Sequence, residues 1–217
     1  MPVLASQQPR VLASGRASDV FDLGDGRVLR RLKGKGDLDR EARVMEHARL
    51  HGVPVPRVLD VRGNEMLMER VAGPTMLQDL LRRPWRFRRH ASTLAALHTR
   101  IHAAPAPPGV PELGNGPSLL HLDVHPQNVV LSPRGPVLVD WTNARRGDAD
   151  IDVALTWLIV MTSAPRVFRP FAMAFARAAG EATIAAGLTA AGRYRVVDPN
   201  VTDAERARVE HLTQTAY

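Results

Sequence analysis

Along residues 9–31 short apolar runs alternate with turn residues. Val11-Leu12-Ala13 stops at Gly15, Val20-Phe21-Asp22-Leu23 stops at Gly24-Asp25-Gly26, and Val28-Leu29 follows. Asp-Gly between such runs predicts a hairpin, because glycine supplies the positive φ of a tight turn. Over 37–51 the period lengthens to three and four: Leu38, Ala42, Met45, Ala48 and Arg49 keep step until Gly52, which predicts a helix. Strands are predicted near 57–61 and 65–69, joined by Arg62-Gly63-Asn64. Residues 1–70 thus read β-β-β-α-β-β.

Ala72-Gly73-Pro74 breaks the pattern, and the later periodicity predicts helices near 75–82, 85–103, 150–162, 166–187 and 202–215. Within 119–140, Val129-Val130-Leu131 and Val137-Leu138-Val139 flank Pro133-Arg134-Gly135 as a small hairpin, and the Pro/Gly-rich segment 104–117 predicts loop. No internal repeat is evident. The expected class is α+β, with a small β-rich N-terminal lobe over 1–70, a short hinge, and a mainly helical C-terminal lobe over 71–217.

Composition narrows the partners. The 217 residues are 45% hydrophobic and 24% charged, ordinary values for a globular chain able to bury a sizeable core. Without cysteine there is no disulfide framework, thiolate chemistry or Cys-based zinc site. The N-terminal segment lacks the basic start and apolar core of a signal peptide. The longest apolar run, Val153 to Met161, is about half of the ~20 residues a membrane span needs. A cytoplasmic protein with no membrane partner is expected. The net charge is +7, and all but Lys33 and Lys35 of the 29 basic residues are Arg. That balance favours anionic partners such as nucleotides.

The chemistry concentrates in His121-Leu122-Asp123-Val124-His125-Pro126-Gln127-Asn128, followed after two apolar runs by Asp140-Trp141. H-x-D-x-x-x-x-N with a second Asp is the layout for phosphoryl transfer to a hydroxyl. One carboxylate takes a proton, and an amide and a carboxylate hold Mg²⁺. Asp123 is the candidate base, preferred to an Asx turn; Asn128 and Asp140 offer the hard oxygens Mg²⁺ prefers, in preference to turn and cap roles. His121 and His125 read as packing of this loop rather than zinc ligands, since no third ligand has metal spacing. His98 and His102 stand at i, i+4 on a predicted helix, but His98-Thr99-Arg100-Ile101-His102 lacks the Glu of H-E-x-x-H, so core or interface histidines are expected.

These motifs resemble the aminoglycoside phosphotransferase/choline kinase-like family, small-molecule relatives of protein kinases with the two-lobed protein-kinase-like fold. His121 to Asn128 resembles its catalytic loop, Val139-Asp140-Trp141 its metal-binding segment, and Gly147-Asp148-Ala149-Asp150-Ile151-Asp152-Val153-Ala154 the G-x-x-x-x-D-x-A that follows. The resemblance implies that Asp152 accepts hydrogen bonds from the catalytic-loop backbone, with His121 also supporting that loop. No A-P-E follows, which argues against a protein kinase. Upstream, Gly15-Arg16-Ala17-Ser18-Asp19-Val20 stands where the loop over the ATP phosphates would be, with one glycine, leaving Ser18 and backbone N–H groups to make the contacts. Arg30 in Arg27-Val28-Leu29-Arg30 stands where kinases carry a lysine, and Glu41 is its expected helix partner. Met66 to Gly73 resembles the hinge, where the Glu69 carbonyl and the Val71 N–H would meet adenine.

The resemblance implies ATP and Mg²⁺ as cofactors and a small-molecule hydroxyl as acceptor. Only 54 positions separate Glu69 from Asp123, so the helical insertion that helps bind the acceptor is expected to be trimmed. Between Ser163 and Asn200, Arg166, Arg169, Arg177, Arg193 and Arg195 face only Glu181 and Asp198. Over 75–104, Arg82, Arg83, Arg86, Arg88, Arg89 and Arg100 face Asp79 alone. A neutral or anionic acceptor fits this charge better than a polycationic aminoglycoside. Arg82 to Arg89 interleaves Arg with Trp85 and Phe87. This reads as a helix start with a solvated basic face and both rings packed inward, in preference to a nucleic-acid surface. The oligomeric state is not fixed by these patterns. The alternative to a small-molecule kinase is a catalytically idle kinase-like protein that binds nucleotide or an anionic partner.

Overall fold

The computed structural model describes residues 10–15, 17–34 and 36–214. Arg16 of the candidate phosphate loop and the end of the last predicted helix, at 215, lie outside them.

A five-stranded antiparallel sheet comes first, from β1 (Arg10–Ser14), β2 (Ser18–Asp22), β3 (Arg27–Leu32), β4 (Val58–Arg62) and β5 (Glu65–Glu69) in the order β1-β2-β3-β5-β4. Side chains alternate between the two faces of a strand. On central β3, Val28, Arg30 and Leu32 therefore share the buried face, and Arg27 and Arg31 are exposed. Helix α1 (Leu38–Leu50) lies between β3 and β4 in the chain. Asp37 caps it by accepting from the Arg40 N–H at 2.8 Å, and Leu38, Glu41, Val44, Met45 and Ala48 form its buried stripe. Alternation on the strand and helical period on α1 thus bring Arg30 and Glu41 to one interior.

Helix α2 (Met76–Arg82) begins with a reciprocal capping box between Thr75 and Gln78. A 3₁₀ turn at Pro84–Arg86 precedes α3 (Phe87–Ala103). Its proline opens the turn one step before the helical stripe, so Trp85 is 72% exposed while Phe87 packs on the core. The expectation that both rings pack inward is corrected for Trp85.

Segment 104–117, read as loop, carries β6 (Glu112–Leu113). With β7 (Ser118–Leu120) and β10 (Arg145–Gly147) it forms a three-stranded sheet in the order β6-β10-β7. Between these strands lies the hairpin of β8 (Val129–Ser132) and β9 (Gly135–Leu138). Helices α4 (Ala149–Ser163), α5 (Arg169–Ala179), α6 (Glu181–Val196) and α7 (Asp203–Gln214) complete the fold. The single helix predicted over 166–187 is a 3₁₀ turn at Arg166–Phe168, α5 and α6. Gly180, at φ 99°, breaks it where other residues would be strained. Helix α4 is buried on nearly every side, and α6 lies close along it because Gly187 has no Cβ to meet the Asp150 carbonyl. One apolar core runs from Leu32, Met45 and Met66 beneath the first sheet through Leu94 and Leu122 to Leu158 and Phe175. Among the described residues no helix is long and apolar enough to cross a membrane.

Candidate active site

The β8–β9 hairpin sets the geometry. Its ladder pairs Val129 with Leu138 and continues one step outward, where the Val139 N–H donates to the Asn128 carbonyl at 2.9 Å. Asp140 follows at φ 66°, a left-handed conformation an aspartate tolerates better than most residues. Asn128 and Asp140 thus emerge at the same end of the hairpin. The Asn128 amide nitrogen donates to the Asp123 carbonyl at 3.0 Å and to its carboxylate at 2.9 Å. Those bonds leave the Asn128 Oδ1 without a donor among the described residues.

Asp123 is held from several sides. His125 Nε2 lies 3.3 Å from its Oδ1, and the Gln127 N–H donates to His125 Nδ1 at 3.3 Å, so the tautomer with hydrogen on Nε2 satisfies both contacts. Burial works to raise the Asp123 pKa, but the hydrogen bond from His125, with help from His121 and Asn128, outweighs it. The net direction is below the ordinary aspartate value.

Asp152, in the first turn of α4, is fully buried. Its Oδ1 accepts from the Leu122 N–H at 2.8 Å, and its Oδ2 accepts from the His121 N–H at 2.9 Å and faces His102 Nε2 at 3.0 Å. Burial opposes the charge, yet these donors and His98 hold the carboxyl well below its usual value. Leu122 has φ 63°, a conformation costing a branched residue ~1–2 kcal/mol. A charge-assisted hydrogen bond of ~1.5–3 kcal/mol offsets it. His121 accepts from the Asp123 N–H at 3.2 Å and faces the Val139 carbonyl at 3.3 Å, the pattern of a neutral ring protonated on Nε2. Burial keeps its pKa low. Its ring meets buried Trp141 edge-on at 4.6 Å.

His98, His102 and Asp152 each place one ligand atom within 4.8 Å of the others. The Thr156 hydroxyl donates to the Val124 carbonyl at 2.8 Å, so it accepts from His98 Nε2 at 3.0 Å. His98 and Thr156 thus brace the loop from behind. His98 is a core residue as expected, but with His102 it also surrounds the Asp152 carboxylate, a link that i, i+4 spacing alone does not reveal.

Arg30 joins the two halves of the site. Its Nη1 donates to Glu41 Oε1 at 2.5 Å, Nη2 to Asp140 Oδ1 at 3.1 Å and to Thr142 Oγ1 at 2.9 Å, and Nε to Ser18 Oγ at 3.1 Å. Glu41 also accepts from the Trp141 N–H at 3.1 Å. Burial raises the Glu41 pKa, Arg30 works against this, and Asp140 adds to it; the net direction is upward. Thr142, absent from the sequence-based candidates, lies within reach of both Glu41 Oε2 at 3.1 Å and Asp140 Oδ1 at 2.9 Å. Its only sequence signal is a hydroxyl two residues after the second Asp. The single-glycine turn is closed by the Gly15 N–H on the Ser18 carbonyl at 2.9 Å, with Lys33 Nζ on the Gly15 carbonyl at 2.8 Å. At the end of β5, the Glu69 N–H donates to the Arg57 carbonyl at 2.9 Å, whereas no described backbone group accepts from the Val71 N–H.

The structure therefore brings Ser18, Arg30, Glu41 and Asp140 into one hydrogen-bonded cluster, and Asp123, Asn128, His121 and Asp152 into a second. The hairpin ladder joins the two clusters. Glu69 and Val71 stand apart, at the end of β5. A family model described as Phosphotransferase enzyme family matches residues 9–115 and 100–194. The chain belongs to that family. Comparison with curated proteins gives no match. Among solved structures, a choline/ethanolamine kinase family protein from Mesorhizobium loti superposes with a TM-score of 0.68 at 19% identity, over 97% of this chain and 89% of the other. A thermostable mutant of the aminoglycoside phosphotransferase APH(4)-Ia gives 0.71 at 20%, over 96% and 94%. The streptomycin–ATP complex of APH(2")-IIa gives 0.63 at 15%, over 96% and 92%. The fold is kinase-like, a β-sheet N-terminal region followed by a helical C-terminal one.

Proposed function

We propose that the protein transfers the γ-phosphoryl group of ATP to a hydroxyl of a small molecule, with Asp123 as the base. One observation carries this reading: Asp123 keeps an ionised carboxylate, fixed by His125 and Asn128, at the edge of a cavity of about 480 Å³. A carboxylate so placed orients the acceptor hydroxyl and takes its proton as that oxygen bonds to the γ-phosphorus and the bond to the bridging oxygen breaks, releasing ADP, worth typically ~10²–10⁴-fold. His121 and Asp152 support it by fixing the backbone on either side of Leu122.

The donor set fits Mg²⁺: Asn128 Oδ1 is uncommitted, and Asp140 is a half-exposed carboxylate with only Oδ1 engaged. Bound by Asn128 and Asp140, the ion would neutralise charge on the transferring phosphates. A guanidinium has five N–H hydrogens. Ser18, Glu41, Asp140 and Thr142 take four from Arg30, so one Nη1 hydrogen remains for a phosphate oxygen. The Ser18 hydroxyl accepts from Arg30 and keeps its own hydrogen for the same purpose. Adenine would meet the Glu69 carbonyl and the Val71 N–H at the junction of an N-terminal lobe, 1–70, with a C-terminal lobe, 71–217. The acceptor is neutral or anionic, because the cavity wall presents no free carboxylate besides Asp123. ATP use agrees with a cytoplasmic location.

The Arg30–Asp140 contact favours a second reading, a nucleotide-binding protein without transfer, since the guanidinium supplies at Asp140 the positive charge a metal would bring. Single-turnover transfer from γ-labelled ATP–Mg²⁺ to a metabolite pool separates the two. The expected result is labelled product from the wild type, a loss of at least about 10²-fold in Asp123→Asn, and ATP binding retained in that variant. ATP binding by a wild type that labels no acceptor would select the idle form.

A further inference from the structure

The cavity beside Asp123 is apolar. Leu77, Leu81, Pro126, Ile159, Val160 and Phe168 make up most of its wall, and Asp123, His125, Ser163 and Arg195 supply most of its polar groups. Arg195 is not free to receive an anion: Nε and Nη2 donate to Glu205 Oε1 at 3.0 and 2.7 Å, and Nη1 to Asp198 Oδ2 at 3.0 Å. The cavity wall therefore offers no free cation to an anion, and the Asp123 carboxylate, held by His125 and Asn128, faces aliphatic side chains.

A second groove, of about 530 Å³, shares Leu81 and Phe168 with the first and continues over Pro84, Trp85, Val167 and Pro170. Leu81, Trp85 and Val167 are 67%, 72% and 77% exposed, an apolar surface that folding alone leaves costly in water. The two adjoin at Leu81 and Phe168, with a carboxylate lining the first, apolar side chains lining both, and an exposed indole lining the second. Arg82, Arg166 and Arg169 adjoin the second groove in sequence, are exposed, and make no ion pair among the described residues, a setting unfavourable to a polycation.

We infer that the acceptor is an alcohol on an extended apolar body, its hydroxyl at Asp123 and its hydrocarbon running over Leu81 and Phe168 toward Trp85. This rests on the phosphotransferase reading and deepens it. The adjacency of the groove to the cavity of the base singles out a substrate rather than a membrane surface: a bilayer covering Trp85 and Val167 has no use for a carboxylate in the adjoining cavity. Pockets of this size bury most of a ligand with several dozen atoms, and a few polar groups fix its orientation.

The test is the transfer of γ-labelled phosphate from ATP–Mg²⁺ to primary alcohols from butanol to decanol, with glycerol, glucose and kanamycin alongside. Binding of each alcohol is followed separately by Trp fluorescence. Expected is a rise in kcat/KM of up to about fourfold per added methylene, the equivalent of ~0.8 kcal/mol per buried CH₂. Leu81→Asp and Trp85→Asp, both at exposed positions, should flatten that gain, with the ATP–Mg²⁺-induced rise in Tm as the check that each variant folds. Transfer to glycerol or glucose without a gain along the series overturns the inference and leaves the phosphotransferase reading standing. Alcohol binding without transfer to any compound overturns both. Fluorescence that responds to anionic vesicles but not to decanol assigns the second groove to a membrane and also overturns the inference.

Discussion

Thr142 has one hydroxyl hydrogen and two carboxylates within reach, Glu41 and Asp140, so at any instant one of them goes without it. Arg30 compensates by donating to both. Removing that guanidinium would leave two carboxylates facing each other, one of them buried. In Arg30→Met, urea unfolding is expected to show a loss of about 3–5 kcal/mol, the usual cost of deleting one partner of a buried pair. Arg30→Lys should lose clearly less, since an ammonium still meets Glu41 but cannot span Asp140 and Thr142 together. The Glu41 pKa is raised on folding, so the folded chain holds that proton more tightly than the unfolded one. Taken alone, Glu41 makes stability fall as pH rises past the ordinary glutamate range. Asp123 has the opposite sign. Its lowered pKa places the acidic limb of the kcat/KM profile below the ordinary aspartate value of about 3.9, which a pH–rate series will read directly.

At the scale of elements, the close approach of α4 and α6 depends on Gly187. A Cβ there would stand 2.2 Å from the Asp150 carbonyl oxygen. Gly187→Ala should therefore cost ~1–3 kcal/mol, measurable as a drop in Tm, and any effect on the site would arrive through Asp152, two residues along α4. Arg30 and Glu41 were legible only through the resemblance to kinase motifs, since the helical period over 37–51 put Ala42 and Arg49 on the stripe where the fold buries Glu41 and Val44; H-x-D-x-x-x-x-N was legible from spacing. Strands β6, β7 and β10 were not, since two or three residues are too few to show a period. Nor was the break at Gly180, a lone glycine within a continuous apolar rhythm. Thr142 and His102 have no local signature: each gains its place from a residue far along the chain, Arg30 for one and Asp152 for the other.

For the molecule as a whole, several carboxylates set the response to acid. Asp79 accepts from His90 at 2.8 Å and from Arg83 at 2.6 Å, with Arg86 at 3.3 Å, and these bring its pKa down to about 2. Asp152 and Asp123 are shifted in the same direction. A depressed carboxylate contributes stability that is complete above its unfolded pKa and lost as pH falls through its folded one. Thermal unfolding is therefore expected to hold steady down to about pH 4 and to weaken from there toward pH 2, with Asp79→Asn shrinking the acid-sensitive part. Arg30 acts at this scale too. From the central strand of the sheet it reaches Asp140 and Thr142, while Glu41 takes the Trp141 N–H and the Thr142 hydroxyl. Swinging the sheet away from the helices must break these bonds together, because each shares a partner with another. Opening is then a concerted event with a large activation enthalpy, so the exchange of whatever lies beneath the sheet should slow sharply on cooling, even where affinity hardly changes.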